Sequence, residues 1–326
     1  MQKIFLTVFL VILVSLNGCT APKIRLFPSQ ADPLKEWTLE GKADQKVLVI
    51  QVRGIISDAP KEGFIRTQPS IVQEVVSQLK KAEKDEDIKA VVLKVDSPGG
   101  SVTASDILYN EISAFKKRSG AKIVAAMMGV SASGGYYISL PADFILAHPT
   151  TITGSIGVIF LRPKVTGLMQ KVGVDVEVNK SGKNKDIGSP FRRATAEEKK
   201  ILQDMIDWLG KRFTELVAKH RKLRPEVLAE ISTARIYLSN EALELGLVDE
   251  IGYLDQAIEQ AKKLAGVPKD AKVVIYRRDE YPNDNIYNTS TRNVGKGSLI
   301  SLQLPGALNQ IKTGFYYLWP AVTVSD

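Results

Sequence analysis

Three glycine-bearing turns, each following an apolar strand, hold the residue types able to do chemistry. The first is Asp96-Ser97-Pro98-Gly99-Gly100-Ser101. Pro98 fixes φ, while the two glycines admit positive φ and leave backbone N–H groups uncovered, so the turn can offer donors to a developing oxyanion. It lacks the lysine and the spacing of a P-loop and is not a GxGxxG. The second, Gly129-Val130-Ser131-Ala132-Ser133-Gly134-Gly135-Tyr136-Tyr137, sets Ser133 between a strand and a helix among small neighbours. That layout exposes a hydroxyl and points the following N–H groups toward the same carbonyl, although it is not the G-x-S-x-G elbow. Without a base, the same residues read as a Ser/Gly helix cap.

A serine hydroxyl becomes a nucleophile only when a base takes its proton. The chain has two histidines. His148 closes a strand just before Pro149, and His220 lies among Lys219, Arg221 and Lys222 on a helix that reads as surface; neither has an acidic partner in sequence. Lysine is the alternative, provided it is neutral. Its ordinary pKa of about 10.4 must then fall by several units, which desolvation can achieve. The third turn, Lys180-Ser181-Gly182-Lys183-Asn184-Lys185-Asp186-Ile187-Gly188-Ser189-Pro190, supplies three lysines. Residue type and spacing do not choose among Lys180, Lys183 and Lys185.

The elements that must position these turns are legible as alternating strands and helices. Val47–Val52 is a β-branched run typical of a buried strand, and Ser70 opens a helix striped by Ile71, Val72, Val75, Val76 and Leu79. Ala90–Val95 reads as a strand, residues 101–117 as a helix, and Lys122–Met127 as a third strand leading to Ser133. Further strands are expected at 144–147, 156–160 and 174–178, with a helix at 163–171 between the last two. Thr195-Ala196-Glu197-Glu198 is a capping box opening a long helix, and shorter helices follow at 225–231, 240–245 and 254–265. Strands alternating with helices imply parallel strands joined by crossovers, an α/β fold with its loops at one end of the sheet. Residues 281–310 are rich in Asn, Ser, Thr and Gly and read as an extended arm ending in the aromatic tail Phe315–Trp319, for which a contact between subunits is expected.

From Lys46 to Val267 the chain resembles the signal peptide peptidase family of the SppA type. The matching segments are Asp96-Ser97-Pro98-Gly99-Gly100, Ser131-Ala132-Ser133-Gly134-Gly135-Tyr136-Tyr137, Thr153-Gly154-Ser155-Ile156-Gly157-Val158, Ser181-Gly182-Lys183-Asn184-Lys185-Asp186, and Arg235-Ile236-Tyr237 running to Leu245-Gly246-Leu247-Val248-Asp249-Glu250. The resemblance implies a serine peptidase with a Ser–Lys dyad. The implied fold is of the ClpP/crotonase type, repeated β-β-α units around a mostly parallel sheet with a C-terminal helical extension. It implies Ser133 as nucleophile, Lys185 as general base, Ser155 as the serine that orients the lysine amine, and the N–H groups of Gly100 and Gly134 as the oxyanion hole. Lys183 is then a bystander, and Asn184 stands where the family usually carries an aromatic. No cofactor and no metal are implied. The implied substrates are hydrophobic peptides such as signal-peptide remnants, and the implied assembly is a homo-oligomer of about eight copies.

The N-terminus points to export. Met1-Gln2-Lys3 is basic, and the apolar run Ile4–Leu16 is too short to span a bilayer core of about 30 Å but suits a secretory signal. Cys19, the only cysteine, closes a segment resembling a bacterial lipobox, which implies lipidation there. The expected organisation is a signal peptide at 1–18, a linker at 19–44 from lipidated Cys19, a peptidase domain at 45–267, and a C-terminal strand and arm at 268–326. The expected location is the bacterial cell envelope, facing the periplasm or the exterior. With Cys19 so used, no thiol is left for a disulfide, a metal or catalysis. The net charge of +8 is spread along the chain rather than clustered with aromatics, which suits a surface near anionic headgroups and does not point to nucleic acid. Two other readings share these observations: an inactive scaffold or chaperone-like lipoprotein, and crotonase-type acyl transfer, against which export argues because CoA is cytoplasmic.

Overall fold

The computed structural model describes residues 33–60, 68–278, 285–287 and 313–320. The signal peptide, Cys19 and most of the arm expected at 281–310 lie outside the described residues. The centre of the fold is a sheet whose strands rise from the β-branched runs seen in the sequence. In chain order these are β1 (Lys35–Glu40), β2 (Ala43–Arg53), β3 (Ile88–Ser97), β5 (Lys122–Ala132), β6 (Phe144–Ala147), β7 (Ile152–Gly154), β9 (Ile236–Leu238), β10 (Glu250–Ile251) and β11 (Ala271–Arg277). They run in the order β1-β11-β2-β3-β5-β6-β10, with β7 joined to β5 and β9 to β7. The pairs from β11 through β2, β3, β5 and β6 to β10 are parallel, while β1 on β11 and β9 on β7 are antiparallel. This is the expected α/β fold. A second, smaller sheet consists of β4 (Gly99–Ser101), β12 (Gly314–Leu318) and β8 (Ile159–Leu161), antiparallel throughout.

Eight helices are described: α1 (Ile71–Ala82), α2 (Val102–Ser119), α3 (Gly134–Ser139), α4 (Thr166–Val172), α5 (Ala196–Arg221), α6 (Pro225–Ile231), α7 (Ser239–Glu244) and α8 (Leu254–Ala265). Because side chains alternate along a strand, β2 and β3 send Leu48, Ile50, Val91 and Leu93 to one face and Val47, Val49, Ala90 and Val92 to the other. The first face packs on Val75 and Leu79 of α1 and on Leu108, Ile112 and Phe115 of α2; the second packs on Leu254, Ala257, Ile258 and Ala261 of α8. Each large side chain so buried contributes about 1.5–3 kcal/mol. The helices start where their caps dictate: Ser70 Oγ accepts from Gln73 N–H at 3.1 Å and Ser101 Oγ from Ala104 N–H at 3.2 Å. The capping box at Thr195 is complete in both directions.

Several boundaries differ from the pattern reading. β1 falls inside the stretch expected as a linker, because Trp37 and its neighbours pair with β11. The strand expected at 156–160 begins only at Ile159, as β8, and a short strand not expected, β7, precedes it, with Ser155 at φ 51° between the two. Residues 174–178 form no strand and are exposed: no described strand pairs with their valines, and β-propensity without a partner does not make a sheet.

Strand β5 serves two neighbours. Its first half pairs with β6, from Val124↔Phe144 to Met127↔Ala147, and its second half with β7, from Val130↔Ile152 to Ala132↔Gly154. Its register with β3 slips between Val95↔Met127 and Ser97↔Ser131, a bulge that bends the strand just before Ser133.

Candidate active site

Ser133 caps α3 in a backbone conformation that serine rarely adopts, φ 53° and ψ −115°. Such a residue stores about 1–3 kcal/mol and persists only where its surroundings over-determine it. Here Ser133 N–H donates to Gly154 O at 2.8 Å and Ser133 O accepts from Tyr137 N–H at 2.9 Å. No side chain fits at the next two positions. A Cβ on Gly134 would lie 2.5 Å from Ser105 Oγ and 3.0 Å from Gly99 Cα, and one on Gly135 would lie 2.5 Å from Ser97 O. The result is a hydroxyl that is 1% exposed and has no hydrogen-bond partner among the described residues. A buried hydroxyl left unpaired is costly unless another group is meant to meet it.

The Pro98-Gly99-Gly100 turn lies against it. Asp96 Oδ1 accepts from Val130 N–H at 3.1 Å, and Ser97 Oγ accepts from Gly99 N–H at 3.1 Å while donating to Gly54 O at 2.7 Å. Ile56 N–H donates to Gly99 O at 2.8 Å and Ser101 N–H to Ile56 O at 3.0 Å. Backbone polar groups alternate from edge to edge along a strand, so the N–H and C=O of Gly100 face the opposite edge. A Cβ on Gly100 would lie 1.9 Å from Ile56 O, which leaves glycine as the residue that fits there.

Ser155 also has a left-handed backbone, φ 51°, and its N–H donates to Arg235 O at 2.8 Å. Since Gly154 O receives the Ser133 N–H, the β5–β7 pairing brings Ser155 next to the Ser133 turn. Ser133, Gly134, Gly100 and Ser155 therefore converge.

The three lysines of the third turn separate by their partners. Lys180 Nζ pairs with Asp186 at 2.7 Å and Lys183 Nζ with Glu197 at 2.8 Å, whereas the exposed Lys185 has no side-chain partner among the described residues. Its loop is nevertheless anchored. Asp186, the next residue, is gripped by Arg192 Nε at 2.7 Å and Nη2 at 2.8 Å, and Arg192 Nη1 bonds Glu198 Oε2 at 2.9 Å. Glu198 in turn accepts from Thr195 N–H at 2.9 Å, tying the loop to the start of α5. The Arg192 guanidinium holds the Asp186 carboxyl far below its ordinary range and, with the Thr195 N–H, lowers that of Glu198 to about 2. Lys185 makes no hydrogen bond to Ser133 within the single chain.

The His148 Nδ1 lies 2.9 Å from Thr150 Oγ1 and accepts from Thr150 N–H at 3.3 Å, and the ring packs against Tyr253. His220, expected on the surface, is half-buried: its Nε2 lies 2.8 Å from Tyr109 OH, and burial, then the nearby lysines and Arg221, push its pKa down. Tyr109 meets Tyr137 edge to face at 5.4 Å, so this histidine buttresses an aromatic wall.

The place of the aromatic tail is what sequence reasoning did not find. Gly314–Leu318 folds onto its own chain as β12 between β4 and β8, with Tyr316↔Ser101, Tyr317↔Gly100 and Leu318↔Gly99 in register. Trp319 N–H donates to Pro98 O at 2.9 Å. Tyr317 is fully buried, stacked on Tyr137 and tilted on Phe213 with centroids 4.9 Å away in each case, and its OH donates to Leu209 O at 3.1 Å. The alternation of Phe315 and Tyr317 was the available signal, but nothing in it names the partner strand. Among the described residues there is no helix long and apolar enough to cross a membrane, and no cluster of three metal-binding side chains.

A mostly parallel α/β sheet whose loops gather a strained, buried serine beside a glycine-rich donor turn defines a class of hydrolases acting through a serine. Residues 115–268 match peptidase family S49 and residues 64–146 match the Clp protease family. An Enterococcus faecium relative named for signal peptide peptidase SppA is 36% identical over 78% of this chain and 74% of the relative. A protease of Methanocaldococcus jannaschii is 39% identical over 67% of this chain and 70% of the relative. Protease 4 of Haemophilus influenzae is 33% identical over 76% of this chain but only 39% of its own length. The chain belongs to peptidase family S49. It is a serine peptidase.

Proposed function

We propose that this serine peptidase is exported, tethered to the cell envelope by lipid on Cys19, and cleaves hydrophobic peptides such as signal-peptide remnants through an acyl-enzyme on Ser133. Neutral Lys185, oriented by Ser155, takes the hydroxyl proton and returns it to the leaving amine. The N–H groups of Gly100 and Gly134 stabilise the tetrahedral oxyanion; loss of one such donor costs about 2.7–4 kcal/mol. The observation that carries the reading is the buried, unbonded Ser133 hydroxyl, held at φ 53° against the Gly99–Gly100 turn. The relatives' names, signal peptide peptidase SppA and Protease 4, support the substrate class. The test is turnover of a fluorogenic hydrophobic peptide by folded Ser133→Ala and Lys185→Ala proteins. Each is expected to be inactive, and full activity of Lys185→Ala would end the assignment of the base.

A second element of the reading concerns assembly. Among the described residues Lys185 is exposed and unpartnered while Ser133 is buried and unbonded, which favours a dyad completed between neighbouring subunits of a homo-oligomer of about eight copies. Contact with a neighbour would also supply the desolvation that a neutral amine requires.

A further inference from the structure

A serine inside a helix satisfies its hydroxyl most simply by donating to the carbonyl one turn back. Ser113 and Ser119 of α2, Ser139 of α3 and Ser232 at the end of α6 all do so, each to the carbonyl four residues earlier, at 2.6–2.9 Å. Ser105 of α2 does not. It is fully buried, and its Oγ has no hydrogen-bond partner among the described residues. The hydroxyl is turned instead toward Gly134, where a Cβ would lie 2.5 Å from Ser105 Oγ and 3.0 Å from Gly99 Cα. A Cα–Cβ bond leans toward the N-terminus of its helix, the end at which the first N–H groups lie free. Ser105 Oγ therefore borders the mouth of α3, where the Gly99–Gly100 turn meets Gly134: a Cβ on Gly99 would lie 2.7 Å from Gly134 N. A buried hydroxyl with nothing to bond destabilises the folded protein, and a partner that arrives only with the substrate gives it a purpose.

We infer that Ser105 is a further catalytic residue, its hydroxyl serving as a third donor to the tetrahedral oxyanion beside the N–H groups of Gly100 and Gly134. This role rests on the reading of Ser133 as nucleophile and deepens it. When Ser133 Oγ bonds to the scissile carbonyl carbon, the π pair of the C=O moves to its oxygen, and the Ser105 O–H donates to that oxygen. No bond to Ser105 forms or breaks, and its proton stays on Oγ. The charge returns to the C=O when the intermediate collapses, so the contact is strongest in the transition state and acts on kcat rather than on substrate binding. The chain path suits the task. α2 runs directly out of β4, so the single segment from Gly99 to Ser105 carries both the Gly100 N–H and the hydroxyl to the same place.

Full-length Ser105→Ala and Ser105→Thr proteins test this through kcat and KM on the fluorogenic hydrophobic peptide, inhibition by an aldehyde of the same peptide, and thermal unfolding. The aldehyde adds to Ser133 as a tetrahedral hemiacetal, so its affinity reports the oxyanion contacts without turnover. Ser105→Ala is expected to lower kcat about a hundredfold or more with KM nearly unchanged, and to weaken the aldehyde by a similar factor. Its thermal midpoint should stay level or rise, because a buried unpaired hydroxyl has been removed. Ser105→Thr keeps the hydroxyl and should bind the aldehyde more tightly than Ser105→Ala does. Unaltered kcat and aldehyde affinity in Ser105→Ala overturn the role and leave Ser133 in place. A lower kcat accompanied by a lower thermal midpoint and undiminished aldehyde affinity makes Ser105 a packing residue and overturns it equally. Turnover by folded Ser133→Ala removes the nucleophile, and the role of Ser105 with it.

Discussion

Replacing Tyr317 by alanine should release β12 from β4, the strand that carries Gly100, without unfolding the body. The ring is fully buried, stacks on Tyr137, tilts on Phe213, and bonds Leu209 O through its hydroxyl. Truncating a buried aromatic to alanine costs about 3–5 kcal/mol. That cost falls on the docking of β12 rather than on the main sheet, because the faces of β2 and β3 are covered by α1, α2 and α8 and not by Tyr317. At about 1.4 kcal/mol per decade, the strand's hold on β4 weakens by about two to four orders of magnitude. An outside peptide competing for the same edge of β4 should then show a kcat/KM raised at least tenfold. Hydrogen exchange should rise at 314–318 and stay slow in β2 and β3, since local opening and global unfolding are separate events. The reasoning fails if Tyr317→Ala exposes β12 to exchange and leaves kcat/KM unchanged. It fails equally if the thermal midpoint of the whole domain falls as far as it does for Phe115→Ala, a deletion in the main core.

Other outcomes follow from the same geometry. Gly134→Ala places a methyl 2.5 Å from Ser105 Oγ, and such overpacking should cost about 1–3 kcal/mol in denaturant unfolding and abolish turnover. Arg192→Ala frees Asp186 and with it the Lys185 loop; kcat should fall with little change in thermal midpoint, and Arg192→Lys should restore only part of it because a point charge cannot grip Asp186 and Glu198 together. The Glu198 carboxyl is held at about 2 against 4.5 when free, so its stabilising pairing is fully present above pH 4.5 and is lost as pH falls through about 2. Limited proteolysis should therefore find the 180–198 loop still protected at pH 4, and cleavage there at that pH would count against the clamp. Mixing inactive Ser133→Ala and Lys185→Ala proteins under conditions of subunit exchange should recover activity if the dyad is built across subunits, and none if it is built within one.

Much of the sheet was readable because its causes are local. The runs Val47–Val52 and Ala90–Val95 are apolar on both faces, and only a strand covered on both sides suits such residues. The caps at Ser70, Ser101 and Thr195 mark helix starts within one residue of those observed, since each satisfies N–H groups two or three positions away. Residues 174–178 misled for the converse reason: their valines have strand propensity, and no described strand lies beside them to pair with.

The sequence alone placed a serine before two glycines and a glycine pair after a proline, and those neighbours leave few conformations other than a tight, donor-rich turn. Residue type likewise made the three lysines of one loop the leading candidates for the base. Tertiary structure decided which lysine stands without a carboxylate, because Asp186 and Glu197 are drawn to Lys180 and Lys183 by ion pairs that spacing does not predict. It also decided that the chain's own tail pairs with the edge of β4. Pairing between strands more than two hundred residues apart depends on which edge is left open when everything else has packed, and no local pattern records that.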